Sequence, residues 1–138
     1  MLLFAFGGQS FAPSGMLKDG STYSVPASFT EIPGWVANTG TYPGSALSGN
    51  GLLVQGGKAD ATITATIGLS NGFSLSTQVR ILKNGNVIVT GSATTGTTAT
   101  ASISGHAVAD GDVITVQIMA GSAGFVTVVA NTPSLTIV

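Results

Sequence analysis

The amino-acid sequence predicts an all-β protein, an antiparallel sandwich of the jelly-roll kind. Apolar and hydroxylated residues alternate along residues 61–67, which is the pattern of a half-buried strand. Asn84-Gly85 separates two runs of β-forming residues, and this dipeptide favours the two-residue turn of a hairpin. The 20 glycines are spread along the 138 residues, and no segment has a persuasive helical period. The length suits one domain that can bury a core.

Residues 1–22 are predicted to form an extended N-terminal arm that docks onto a neighbour, with the jelly-roll domain spanning residues 23–138. Glycines and prolines interrupt the apolar residues of the arm. The residues expected to make the assembly contact are Leu2, Leu3, Phe4, Phe6 and Phe11. The alternative is that this segment supplies the first strand of the domain's own sheet, and both interpretations stay open.

The next part of the chain, up to residue 54, is predicted to be irregular, with two short strands and two Pro-Gly turns. Trp35 and Tyr42 lie close to these turns and are expected in or over the edge of the core. The alternative is that they form an exposed platform on which a carbohydrate ring stacks.

From residue 59 onward the sequence predicts strands at a spacing of roughly ten residues. They cover residues 61–67, 73–81, 87–90, 97–104, 113–120, 125–130 and 134–138. Together with the short strands before them, this regular spacing indicates a sandwich or a jelly roll.

Two of the four basic residues, Arg80 and Lys83, lie on the predicted hairpin near its turn. They are interpreted as solvated edge charges that discourage unwanted strand pairing. The alternative is that they contact an anionic glycan or a partner. The candidate residues for ligand contact are therefore Trp35, Tyr42, Arg80 and Lys83.

Few residues could carry chemistry. His106 is the only histidine, and no nucleophile elbow or oriented base accompanies it. The chain has no cysteine, and its carboxylates are Asp19, Glu31, Asp60, Asp110 and Asp112. Asp110 and Asp112 stand too close in one turn to flank a sugar as a glycosidase pair, and the repeated acidic loop of a calcium site is absent. We therefore expect no catalytic residue, no metal and no cofactor, and hence no enzyme.

Charge and hydropathy argue against two classes of partner. The net charge is −1 and no basic patch exists, so nucleic acid is not an expected partner. No apolar run approaches the roughly 18 residues of a membrane-spanning helix, so membrane insertion is not expected.

Charged residues make only 7% of the chain, against about a quarter in typical soluble domains. A surface so poor in charge indicates that much of it is covered in an oligomer or a larger assembly.

Three places in the chain resemble the C1q/TNF-like jelly roll of structural proteins in tailed phages, especially phages of actinobacteria. They are FTEIPGW at 29–35 with TYPGS at 41–45, VRILKNGNVI at 79–88, and DGDVITVQI at 110–118. The resemblance extends over residues 29–138, about four-fifths of the chain. It implies a ten-strand jelly roll that commonly trimerises and is displayed on a virion, often in minor tail or fibre proteins. Many relatives follow a long stalk, whereas about 22 residues precede the domain here, which favours a small subunit attached to a larger assembly.

The functional hypothesis is a phage virion structural protein, a small jelly-roll subunit of the tail tip or of a tail-fibre-like appendage. It would be assembled in the host cytoplasm as a homotrimer, with apolar strand faces buried between sister subunits and the arm docked to other virion proteins. Outward loops would contact a glycan of the host-cell surface. The alternatives are a capsid decoration protein, a carbohydrate-binding module and a hydrolase.

Overall fold

The computed structural model describes residues 10–138, so Leu2, Leu3, Phe4 and Phe6 of the predicted docking arm lie outside the described residues. The described residues form thirteen strands. In chain order these are β1 (Ser14–Lys18), β2 (Tyr23–Ser24), β3 (Thr30–Glu31), β4 (Trp35–Ala37), β5 (Leu47–Ser48), β6 (Gly51–Leu53), β7 (Lys58–Ser70), β8 (Thr77–Lys83), β9 (Asn86–Thr90), β10 (Thr98–Val108), β11 (Val113–Ala120), β12 (Thr127–Val128) and β13 (Ser134–Ile137). Between residues 10 and 138 there is no helix long and apolar enough to cross a membrane.

The strands form two antiparallel sheets that enclose one core. In the seven-stranded sheet, β4, β1, β13, β7 and β10 lie side by side, and β12 with β2 continues the sheet where β7 ends. In the six-stranded sheet the order is β5, β6, β11, β8 and β9, and β3 pairs with the second half of β11. Most neighbours in the sheets are not consecutive in the chain, as in a jelly roll. The predicted all-β antiparallel sandwich is confirmed.

The core is built from strand faces on which apolar residues alternate with polar ones. Along β7 the alternate residues Ala61, Ile63, Ala65 and Ile67 are fully buried, and the hydroxylated residues between them point the other way. The alternating apolar residues of β8 and β11 belong to the same buried cluster. The two sheets of one chain cover these inner faces, so packing of apolar strand faces against sister subunits is left to residues outside this core and stays a prediction.

β1 is an inner strand of the seven-stranded sheet. Met16 pairs with Leu135 of β13 on one side and with Ala37 of β4 on the other, and it is fully buried. A strand of the domain's own sheet, one of the two interpretations of the N-terminal segment, therefore describes residues 14–18. Docking stays a prediction for the residues that precede β1.

Two predicted strands are shorter in the structure. The strand predicted over residues 73–81 begins only at Thr77, because a turn closes the chain before it: the N–H of Ser74 donates to the carbonyl of Asn71 at 3.2 Å. The strand predicted over residues 125–130 is reduced to β12, which pairs only with the last residues of β7. From Thr66 back towards the start of β7, the partner strand is β13.

The predicted hairpin is confirmed. Asn84 and Gly85 both have positive φ, 51° and 82°, as a type I′ turn requires. The strand at the edge of the sheet is β9, and β8 lies between β9 and β11. Arg80 and Lys83 therefore lie on an inner strand, and their interpretation as edge charges is wrong.

Candidate functional site

Two phenylalanines stand out of the surface where the loop before β8 meets the loop after β11. Phe73 is 71% exposed and Phe125 is 53% exposed. Their rings meet edge to face, with centroids 5.4 Å apart and planes at 84°. With Leu75 and Ser122 they line an open cavity of about 190 Å³. We call these four residues the aromatic tip.

A buried asparagine holds the first loop of the aromatic tip in place. Asn71 is 8% exposed, and its side-chain oxygen accepts from the N–H of Leu75 at 2.9 Å. Its side-chain nitrogen donates to the carbonyl of Leu75 at 2.9 Å and lies 3.1 Å from that of Gly96 and 3.3 Å from that of Thr95. One amide thus ties the 71–76 loop to itself and to the link between β9 and β10.

Backbone contacts hold the second loop. The N–H of Gly121 donates to the carbonyl of Ser76 at 2.8 Å, which joins the two loops directly. Val126 is fully buried, and its carbonyl accepts from the N–H of Val25 at 2.9 Å. The residue next to Phe125 is therefore anchored in the core while the Phe125 ring stays outside.

The surroundings of the aromatic tip carry no formal charge. The loops that meet here, residues 71–76, 91–97 and 121–126, contain hydroxyl, amide and apolar side chains and no charged one. The charge on a neighbouring strand, Arg80, lies three residues into β8 from Thr77, at roughly 10 Å along the strand. A ligand at the tip therefore meets aromatic rings, Leu75 and the side chain of Ser122, and no charge.

A second surface is the outer side of the seven-stranded sheet. Residues directly opposite in antiparallel strands share a face, so Ser102, Thr64 and Thr136 form one row across β10, β7 and β13. Thr100, Thr66 and Ser134 form the next row. The Thr64 and Ser102 hydroxyl oxygens are 2.9 Å apart. We call these six residues the hydroxyl face.

The structure does not place Trp35 in an exposed platform. Its residue is only 7% exposed, and the indole N–H donates to the carbonyl of Ile32 at 2.7 Å. Tyr42 is half-buried, and its ring lies so close over Gly15 that a Cβ there would collide with it. Both side chains pack against the fold, as the predicted position in or over the edge of the core requires, and their burial does not fit the alternative of an exposed stacking platform.

The candidate cations of the hairpin are engaged within the chain. The Nε of Arg80 donates to the side-chain oxygen of Gln117 at 2.7 Å, and its guanidinium lies 4.0 Å from the centroid of the Phe29 ring. The ammonium of Lys83 donates to the carbonyl of Ala107 at 2.9 Å. An anionic ligand would have to compete with these intramolecular partners.

Phe11 is the one member of the predicted assembly set among the described residues. It is half-buried and packs against the core cluster. The Lys58 ammonium lies 5.1 Å from its ring centroid. This ring is therefore also engaged within its own chain.

The two aspartates of the predicted turn hold backbone groups. Asp110 accepts from the N–H of Gly56 at 2.8 Å, and Asp112 accepts from the N–H of Ala109 at 2.8 Å and from the Asn84 amide at 2.9 Å. Partial burial acts to raise the pKa of Asp112, but these hydrogen bonds outweigh it, and the pKa is lowered. Among residues 10–138, no group of three or more histidine, cysteine or acidic side chains is arranged to hold a metal ion.

His106 lies in β10 where the pairing with β7 is interrupted by a bulge. Its Nε2 is buried and has no hydrogen-bond partner among residues 10–138. A hydrolytic triad needs a serine hydroxyl on this nitrogen, and none of the described serines supplies one.

The aromatic tip was not identified from the sequence. Phe73 begins the strand predicted over residues 73–81, and Phe125 begins the strand predicted over residues 125–130. The signal that could have been used is local: each ring directly follows a glycine, Gly72 or Gly124, within a segment rich in turn residues.

Comparison with known proteins identifies the fold. No family model matches the chain, and no curated protein sequence matches it. Among solved structures, Eiger TNF from S. frugiperda is similar at a TM-score of 0.63 and 10% identity, covering 94% of this chain and 92% of that one. Murine APRIL gives 0.57 and 16%, with 91% and 97% covered, and rabbit GITRL gives 0.51 and 14%, with 91% and 92% covered. At such low identity the similarity establishes a TNF-like jelly roll and leaves the activity open.

Proposed function

We propose that this chain is a non-enzymatic structural subunit of a phage virion, part of the tail tip or of a tail-fibre-like appendage. The observation that carries the proposal is the hydroxyl face, two rows of serine and threonine residues across β10, β7 and β13, none of which is charged. Interface cores are depleted in charged residues relative to the rest of a protein surface. The TNF-like fold and the resemblance of three segments to phage jelly rolls support the same assignment.

The proposed mechanism is assembly into a homotrimer through the hydroxyl face. Each serine or threonine hydroxyl can donate one hydrogen bond and accept two, so hydroxyls from three copies that meet about a threefold axis can satisfy one another. The threonine methyl groups add apolar contact. The inner apolar strand faces are already covered by the opposite sheet of the same chain.

The oligomer is tested by placing a charge on the hydroxyl face. Thr66 is exposed and points away from the core, so Thr66→Arg should fold normally. Light scattering should give roughly 41 kDa for the wild type, three times 13.6 kDa, and the monomer mass for Thr66→Arg. Ser48→Arg, on the exposed strand β5 of the other sheet, is the matched control and should stay trimeric. A wild type that remains monomeric at high concentration would overturn the trimer.

The place in the particle is tested by imaging phage particles in which the subunit is labelled. Label at the tail tip or on fibres is expected. Label over the capsid shell would favour a capsid decoration protein instead, and unlabelled particles would overturn the virion function altogether.

A test of attachment through the N-terminal segment requires a deletion that leaves the sheet intact. Removal of residues 2–9 leaves β1 in place and should abolish incorporation into particles while the trimer still forms. Removal of residues 1–22 would take an inner strand with it and test folding instead. Normal incorporation of the shorter deletion would exclude a docking role for this segment.

A further inference from the structure

We propose that the aromatic tip binds a neutral pyranose ring of a glycan, by stacking on Phe73 and Phe125. The proposed function includes contact with the host-cell surface, and this inference names the class of ligand for that contact. Its biological role rests on the proposed function. The binding itself is a property of the single chain, so it can be tested apart from the virion.

Exposure of the two rings is the first argument. Of the four phenylalanines that the structure describes, Phe11 and Phe29 are half-buried and each lies beneath a cation of its own chain. Phe73 and Phe125 are instead mostly exposed and touch each other. The face of an aromatic ring is electron-rich, and the C–H groups on one side of a pyranose are its complement.

Fixed geometry is the second argument. Asn71 ties the 71–76 loop through its buried amide, and the hydrogen bond from Gly121 to Ser76 fixes the second loop against the first. The two loops that carry the rings are therefore held in place before a ligand arrives. A preformed site loses little conformational entropy on binding, which raises affinity.

Size and charge identify the class of ligand. Pockets for drug-sized ligands have roughly 300–1,000 Å³, so an open cavity of about 190 Å³ suits a single ring. Ser122 is the one lining residue with a hydroxyl, which can both donate and accept a hydrogen bond. The charges on neighbouring elements are paired within the chain: Arg80 with Gln117 and Phe29, and Asp19 with Lys18.

Other occupants fit these observations less well. Binding to a membrane surface is supported by basic residues beside the aromatic ones, and the loops of the tip have none. A stable contact with a second protein copy buries about 800 Å² on each partner, far more than four side chains provide. A neutral sugar ring needs neither charge nor a large area.

The test is an NMR titration of the ¹⁵N-labelled full chain with methyl glycosides of glucose, galactose, mannose, rhamnose and N-acetylglucosamine, and with glucuronate. At least one neutral glycoside should shift amide signals confined to residues 71–76 and 121–126, with a dissociation constant in the roughly millimolar range. Phe73→Ala and Phe125→Ala should each weaken binding about tenfold, and Phe73→Trp should retain it. Val87→Ala, which truncates an exposed apolar residue on β9, should bind as the wild type does.

Several results would overturn the proposal. They are the absence of shifts with every neutral glycoside, shifts elsewhere on the molecule, and stronger binding of glucuronate. Self-association that Phe73→Ala abolishes would assign the tip to a second copy. Because both rings are exposed, the alanine variants should keep the wild-type spectrum outside the two loops, which separates lost binding from lost folding. Failure here leaves the Thr66→Arg and particle-imaging tests of the proposed function unaffected.

Discussion

The loop that precedes β8 and the turn that follows it both depend on an asparagine, and the two residues act in opposite ways. Asn84 is exposed, adopts a left-handed backbone conformation, donates to Asp112 and accepts from the N–H of Val113. Asn71 is buried and directs its amide inward, to the backbone of its own loop and of the β9–β10 link.

The hairpin turn and the loop before β8 therefore differ in which side chains stay free to contact a partner. At the hairpin end, Lys83, Asp110 and Asp112 all have hydrogen-bond partners in the chain. At the other end, the hydrogen bonds of Asn71 stabilise a loop whose aromatic side chains stay outside. The charged residues at the hairpin end are thus bonded within the chain. The uncharged rings of Phe73 and Phe125, at the other end, remain available to a ligand.

The largest effect is expected from Asn71→Ala. The substitution leaves the N–H and carbonyl of Leu75 and the carbonyl of Gly96 without their partner, and loss of a buried hydrogen-bonding group costs about 1–3 kcal/mol. Urea unfolding should show a loss near the upper end of that range, and sugar binding at the aromatic tip should be lost with it. Asn71→Asp, which can still accept from Leu75 but cannot donate, should be destabilised as well. Unchanged stability in both variants would show that the loop is held by other contacts.

A smaller effect is expected at the hairpin end from Asn84→Ala. The variant loses two exposed hydrogen bonds, and alanine lacks the short polar side chain that lets asparagine adopt φ near 51°, so we expect a loss of about 1–2 kcal/mol. Asn84→Gly, which accepts positive φ freely, should recover most of the loss. Equal unfolding free energies for the two variants would contradict the role of backbone strain. In either variant the NMR signals of the 71–76 loop should not move.

The same contrast explains how much of the fold could be predicted from the sequence. The hairpin and the alternation along β7 are local signals: a dipeptide that favours positive φ, and a period of two that separates a core face from a hydroxylated one. Both were predicted correctly because neighbouring residues decide them.

The candidate site was missed partly because distant residues help to decide it. Phe73 continues the alternating pattern of β8, and the chain is turned away from the strand by bonds of Asn71 within its own loop together with its bonds to the link 95–96. The residues next to Trp35 in the sequence do not decide whether its side chain is buried or exposed. It is buried because β4 pairs with β1. A non-local pairing such as that of β4 with β1 leaves no mark in a single sequence window.

A still smaller effect on stability is expected at the aromatic tip itself. Phe73→Ala and Phe125→Ala truncate exposed rings, so each should lower the free energy of unfolding by about 1 kcal/mol or less. An edge-to-face pair contributes about 0.5–1.5 kcal/mol, and the double variant should therefore reveal a coupling energy near the lower end of that range. Strictly additive losses would show that the two rings do not interact in solution.

The smallest effect concerns Asp19, which keeps the charge of Lys18 paired within the chain. Hydrogen bonds from the Ser21 hydroxyl and N–H, followed by one from Lys18, lower the pKa of Asp19 from 3.8 to about 2. A carboxyl whose pKa is lowered on folding contributes stability above its unfolded value, and that contribution is lost as the pH falls from about 4 to about 2. Because the carboxylate is exposed, the change in urea midpoint between about pH 5 and about pH 2.5 should be small and should be reduced in Asp19→Asn. An Asp19 carboxyl that titrates near 4 by NMR would show that this charge is free, and the contrast between internally paired charges and available rings would no longer hold.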